Sequence, residues 1–169
     1  MELERMITQL ADNAKRIEAL VRDSNNFQAH WKPDEDTWSL VEVISHLYDE
    51  ERLDFRIRIE HTIYKPGEEW PAIDPGSWVI ERAYNERDLN DSLTNFQAER
   101  QASLEWLAGL SNPDWELSYQ APFGAIKAGD VLAAWVAHDL LHTRQLVELQ
   151  WIYMLEQVQP YEVRYAGEW

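Results

Sequence analysis

The sequence predicts an all-α protein, a four-helix bundle with long connections. Apolar residues recur at steps of three and four through four separate stretches, and capping or breaking residues bound those stretches. Prolines and glycines crowd the segment between the second and third. Hydrophobic residues make up 45% of the 169-residue chain and charged residues 27%, an ordinary globular balance, so one compact domain over residues 1–169 is expected.

In the first helix Leu3, Met6, Ile7, Leu10, Ala14, Ile17, Leu20 and Val21 share one face, and Asp23-Ser24-Asn25-Asn26 ends the run. The second starts after Thr37-Trp38-Ser39, where Ser39 and Glu42 have capping-box spacing. It runs through Leu40, Ile44, Leu47, Phe55, Ile59 and Ile63 until Lys65-Pro66-Gly67 stops it. A long connection from Pro66 to about Tyr84 carries Trp70 and Trp78. The third helix spans about Glu86 to Leu110 on Leu89, Leu93, Phe96, Leu104 and Leu107, and Ser111-Asn112-Pro113 closes it. A second irregular segment follows from Pro113 to Ala128. The fourth helix opens near Gly129-Asp130, with Asp130 placed to cap it, and reaches about Glu156, leaving a tail from Pro160. Extended connections of this kind call for at least one crossover.

Charge narrows the partners. With 31 Asp and Glu against 15 Lys and Arg, the net charge is −16. Phosphate backbones and anionic membranes are gripped by basic clusters, so neither nucleic acid nor a membrane is an expected partner. The absence of cysteine excludes disulfides, thiolate metal sites and a cysteine nucleophile, leaving His, Asp and Glu to hold any metal. The first residues contain no apolar signal-peptide core, and a cytoplasmic location is expected.

The chemistry gathers on histidines. His138 and His142 stand four residues apart, on one face of the fourth helix, in a line with Val131, Trp135, Gln145 and Leu149. They interrupt a largely apolar seam and are expected to point inward. On the second helix the line Ser39, Val43, His46, Glu50, Leu53 and Ile57 places another histidine in a similar seam. Inward side chains from facing helices build metal sites in bundles, and three neutral imidazoles suit zinc, nickel or iron. The competing reading is a hydrogen-bonded set of core histidines. His30 and His61, in a connection and at a helix end, are expected to be structural. Glu50, one turn after His46, is a candidate catalytic base, a fourth ligand or an acceptor behind a ligand; a solvated glutamate at the bundle mouth is the alternative. Asp139 projects away from the histidine face and is expected to orient a neighbour. Trp38, Trp70, Trp78 and Trp135 are candidates for pocket walls or plain core.

Trp38-Ser39-Leu40-Val41-Glu42-Val43-Ile44-Ser45-His46-Leu47, together with Ala137-His138-Asp139-Leu140-Leu141-His142-Thr143-Arg144-Gln145-Leu146, resembles the DinB-like superfamily of metal-binding bundles, which includes YfiT-like proteins. The likeness extends through Trp70-Pro71, Asp74, Tyr84-Asn85, Phe96 to Arg100, Leu107 to Leu110 and Phe123-Gly124. It implies a four-helix bundle with one divalent metal ion on His46, His138 and His142, with zinc or nickel ahead of iron or manganese. It also implies an enzyme of the thiol S-transferase or hydrolase type, acting on a small-molecule substrate and using a metal-activated water or a low-molecular-weight thiol. A non-catalytic metal-binding or dimerisation module is the alternative, and a homodimer stays open. Related sequences often place His-Pro ahead of Phe-Gly, where this chain has Gln120-Ala121-Pro122-Phe123-Gly124.

Overall fold

A computed structural model describes residues 2–167, so Met1, Glu168 and Trp169, at the edges of the expected 1–169 domain, lie outside the described residues. Four long helical bodies dominate, as the periodicity predicts. They are α1 (Leu3–Val21), the pair α3 (Leu40–Glu50) and α4 (Arg56–Tyr64), α6 (Leu89–Ala108) and α7 (Ala128–Gln157). Short helices α2 (Asn26–His30) and α5 (Pro75–Glu81) sit in the connections.

Ser39 and Glu42 form the expected capping box: Ser39 Oγ accepts from the Glu42 amide at 3.3 Å, and Glu42 Oε2 accepts from the Ser39 amide at 2.7 Å. Asp88 caps α6 by accepting from Asp91 N, which starts that helix three residues later than the spacing predicts. On α7, Asp130 sits inside the first turn, where its carboxylate accepts from the Lys127 amide at 3.0 Å.

The second helix holds a surprise. Glu51–Phe55 forms a turn of π-helix between α3 and α4, which adds a residue to the turn and shifts the inward face. The predicted seam therefore fails beyond Glu50: Leu53 and Ile57 are only half-buried, while Asp54, Phe55 and Ile59 point inward.

α1 packs against α6 and α7, and the α3–α4 body packs against the same two helices. The first and second bodies thus lie on one diagonal of the bundle, and the third and fourth on the other. The connections from α1 to α3 and from α6 to α7 cross those diagonals, whereas the longest, from α4 to α6, joins neighbouring bodies. The segment expected to be irregular from Pro113 to Ala128 contains a hairpin, β1 (Ser118–Ala121) against β2 (Gly124–Lys127), in antiparallel register from Ser118↔Lys127 to Ala121↔Gly124. Gly124 takes φ +134° after the turn, a conformation few side chains tolerate. Trp70 stacks on Tyr119 of this hairpin, with ring centroids 4.2 Å apart.

The interior is divided. One apolar cluster includes Ile17, Val21, Val43, Leu47, Phe96 and Leu146. The other includes Leu10, Phe55, Ile59, Leu107, Leu132 and Trp135. Between them lies a buried polar layer built by Asn13, Glu51, Arg100 and Asp139. Arg100 donates to both Glu51 oxygens at 2.8 and 2.9 Å, to both Asp139 oxygens at 2.8 Å, and to the Leu10 carbonyl at 2.9 Å. Trp135 Nε1 adds a donor to Glu51 at 2.9 Å. One guanidinium thereby ties together α1, the π-turn, α6 and α7.

Candidate metal centre

α3 and α7 set the site. His46 lies one turn before Glu50 on α3, and His138 and His142 lie on consecutive turns of α7 across from it. Their side chains converge: His46 Nε2 is 3.3 Å from His138 Nε2, and His142 Nε2 is 3.1 Å from the same atom. Among the described residues these three form the one group of histidine and acidic side chains placed to share an ion, with one nitrogen from each inside a 4.8 Å span. Tetrahedral coordination with metal–nitrogen bonds of about 2.0–2.1 Å separates the donors by about 3.3–3.4 Å, close to the two contacts seen.

Burial keeps all three rings neutral. Loss of solvent is the main cause, and it pushes His46 down to about 3 and His138 to about 2, with the neighbouring rings adding to it. His142 is also lowered by burial, although Gln145 and Asp139 oppose the shift. His142 Nδ1 donates to Gln145 Oε1 at 2.7 Å, which places the neutral ring's single proton there and a lone pair on Nε2. His138 Nε2 then faces two imidazole nitrogens, yet a neutral nitrogen offers one proton or one lone pair. The triad cannot satisfy itself. His46 Nδ1, buried without a hydrogen-bond partner, adds to the deficit. A cation accepting the three facing lone pairs removes the conflict among the Nε2 atoms, so the donor set fits a divalent ion.

Trp38 walls the site, its ring 5.0 Å from His46 and stacked 6.3 Å from His142. Phe55 closes the opposite side, 5.1 Å from His138. A groove of about 400 Å³ lined by Asp36, Thr37, Trp38, His142 and Gln145 leads to the surface. The other three candidate tryptophans pack elsewhere: Trp135 stacks on Phe55 in the core, Trp78 packs with Val79 and Tyr84, and Trp70 stacks on Tyr119. His30 bonds backbone carbonyls of Asn26 and Arg87, in keeping with a structural role, and His61 lies against Lys65.

Glu50 is buried, which excludes the solvated alternative, but its carboxyl group stands outside the convergent trio and interacts with that of Asp54. Burial raises its proton affinity first, and the Asp54 charge raises it further. Asp54 is likewise raised by burial, against the pull of its ion-pair partner Arg58. Glu50 Oε1 has no hydrogen-bond partner. A carboxyl group that keeps its proton above the unfolded value weakens folding progressively as pH rises past 4.5 toward the raised value. Glu50→Gln in chelator-treated protein is therefore expected to raise stability by on the order of 1–3 kcal/mol at pH 8 and by much less at pH 5. Urea denaturation at the two pH values checks this; a pH-independent effect refutes it.

Sequence reasoning did not find Glu51 and Arg100, although one signal was present. Leu89, Leu93, Phe96, Arg100, Ser103 and Leu107 form the buried seam of α6, so Arg100 interrupts an apolar line as the histidines do. Asp139, expected to orient a neighbour, is held by Arg100 and fixes the rotation of α7 between the two histidines.

Fold and site together define a helical bundle with a three-histidine cluster, one ring buried and two half-buried. The chain belongs to the DinB superfamily, whose family model matches residues 9–146. Among solved structures it is similar to YfiT from Bacillus subtilis, described as a probable metal-dependent hydrolase with an unusual four-helix bundle topology. The two share 18% identity and superpose with a TM-score of 0.77 over 88% of this chain and 85% of that one, a likeness of fold. No curated protein matches the sequence. Among the described residues no helix is long and apolar enough to cross a membrane.

Proposed function

We propose that the protein is a cytoplasmic enzyme that uses one divalent ion, held by His46, His138 and His142, to convert a water or a small thiol into a nucleophile. The observation that carries this reading is the convergence of three neutral imidazoles that cannot satisfy one another. The description of YfiT points the same way. Zinc or nickel matches such a donor set best, with iron or manganese behind them. When bound, the ion supplies a lowered pKa to water or thiol at neutral pH.

The protein's own groups do the rest. Gln145 holds the His142 ring in the tautomer that presents Nε2, and Trp38 limits the approach to the groove between Asp36 and His142. Such a groove admits a small molecule. Glu50, buried with one oxygen unpaired, is the candidate to take the proton from the nucleophile once its own proton has left, which the charge of a bound ion would favour. With water as the nucleophile the reaction is hydrolysis, and with a small thiol it is S-transfer.

Elemental analysis of untagged protein tests the metal. Wild type is expected to carry about one ion per chain and His142→Ala almost none; equal content in both overturns the site. Ester hydrolysis and thiol transfer with several cellular thiols test the chemistry. Metal-loaded protein silent in both would be a binding module and no enzyme.

A further inference from the structure

Asp49, three residues after His46 on α3, is 1% exposed. Tyr84 donates to its Oδ2 at 2.6 Å and Arg52 to its Oδ1 at 3.0 Å. Arg82 Nη1 lies 2.8 Å from Oδ2, and Arg87 Nη2 3.9 Å from the same atom. Burial works against the charge of Asp49, but Tyr84, Arg82 and Arg87 outweigh it and hold the carboxyl group below its usual range. Three guanidinium groups, brought from the π-turn, the end of α5 and the residue after the 3₁₀ turn Tyr84–Glu86, thus surround one carboxylate. That is a local surplus of positive charge in a chain of net charge −16. Each guanidinium also lies on an aromatic ring: Arg52 on Tyr48 at 5.0 Å, Arg82 on Trp78 at 4.0 Å and Arg87 on Tyr84 at 4.5 Å. Stacking orients the forks in advance, so little side-chain freedom is left to lose on binding. Asp49 does not occupy all their donors. Arg52 Nε is buried without a partner, and among the described residues the Arg87 guanidinium makes no hydrogen bond, its contact with Asp49 being too long for one.

We propose that Arg87, supported by Arg52 and Arg82, is a binding site for a small molecule that carries one oxyanion group, a carboxylate or a phosphate. A guanidinium with free N–H groups matches such a group in shape and charge. Arg87 opens on a hollow of about 380 Å³ shared with Tyr48, Asp88, Asp91, Ser92 and Asn95. Tyr48, Ser92 and Asn95 offer polar contacts to the rest of the molecule. Asp88 and Asp91 repel further negative charge, so the occupant presents a single anionic group and is no polyanion. Trp38 packs against the cluster of Trp78 and Tyr84 as well as against His46 and His142, so aromatic contacts connect this site with the candidate metal centre. The inference goes beyond the proposed function and does not depend on a metal being bound.

Isothermal titration calorimetry with inorganic phosphate and with acetate, against chloride at matched ionic strength, tests it. Wild type is expected to bind at least one of the two saturably, and the preferred anion tells a phosphoryl ligand from a carboxylate. Arg87→Gln is expected to weaken that binding about tenfold or more, whereas Arg22→Gln, an exposed arginine after α1, leaves it unchanged. Asp91→Asn removes a repelling charge from the hollow and is expected to tighten binding, which keeps the test decisive should Arg87→Gln fail to fold. Binding of neither anion above chloride overturns the proposal and leaves the arginines as a clamp on Asp49. So does equal affinity in Arg87→Gln, or equal or weaker affinity in Asp91→Asn.

Discussion

Arg100→Ala is expected to remove about 3–5 kcal/mol of stability, enough to unfold a bundle of ordinary stability at or not far above room temperature. The residue is 2% exposed and its guanidinium is the shared partner of two buried carboxylates, Glu51 and Asp139. Burial opposes the charge on Arg100, but those carboxylates outweigh it and hold its pKa above the ordinary guanidinium value. Removal strands both anions in the layer between the two apolar clusters. Arg100→Lys is expected to recover only part of the loss, since an ammonium cannot reproduce two bidentate contacts and the bond to Leu10. Urea unfolding followed by circular dichroism measures both. A loss below about 1 kcal/mol for the alanine variant would mean that this layer contributes no more than a surface pair.

Metal is expected to stabilise the native state strongly. At a free concentration 100 times its Kd, a ligand that binds only the folded chain adds about 2.7 kcal/mol, or roughly 5–10 °C in Tm for a protein of this size. In His46→Ala, His138→Ala or His142→Ala that gain should vanish. Differential scanning calorimetry with and without zinc or nickel checks it; an unchanged Tm in wild type, or an undiminished gain in all three variants, defeats the site. The dependence on pH has a fixed sign. Folded His46 and His138 titrate far below the ordinary 6.5, so their contribution is complete above that value. As pH falls from 6.5 toward 3, the unfolded chain takes up protons that the folded rings refuse, and metal-free protein should lose stability over that range.

The long helices were readable from sequence because amphipathic periodicity reports burial directly. The histidines were readable for the same reason: His46, His138 and His142 sit where an apolar residue would otherwise stand. Arg100 obeys that rule too, but an arginine late on a helix reads as surface until its two carboxylate partners are brought to it from the π-turn and α7. Those partners are distant in sequence, and no spacing joins them. The hairpin was lost because its strands are four residues each and largely exposed, and the alternation in β1 is too short to stand out from a connection. The lapse of the Leu53–Ile57 seam has one cause, the π-turn, which no local propensity announced. For Glu50 the face was readable but its burial beside Asp54 was not, since two carboxyl groups four residues apart would ordinarily face solvent.

That turn acts on the molecule as a phase adjuster. A straight α-helix from Leu40 to Tyr64 would keep one angular register throughout, so the end that carries His46 and the end that carries Phe55 and Ile59 could not both be aimed correctly at α7. Removing a single residue from Glu51–Phe55 would rotate one half of the helix against the other by about a hundred degrees. Either His46 would leave the histidine cluster or Phe55 would leave the lower core. Fold and chemistry are thereby tied to one odd residue count, and in this stretch a change in length would be felt at both ends of the helix.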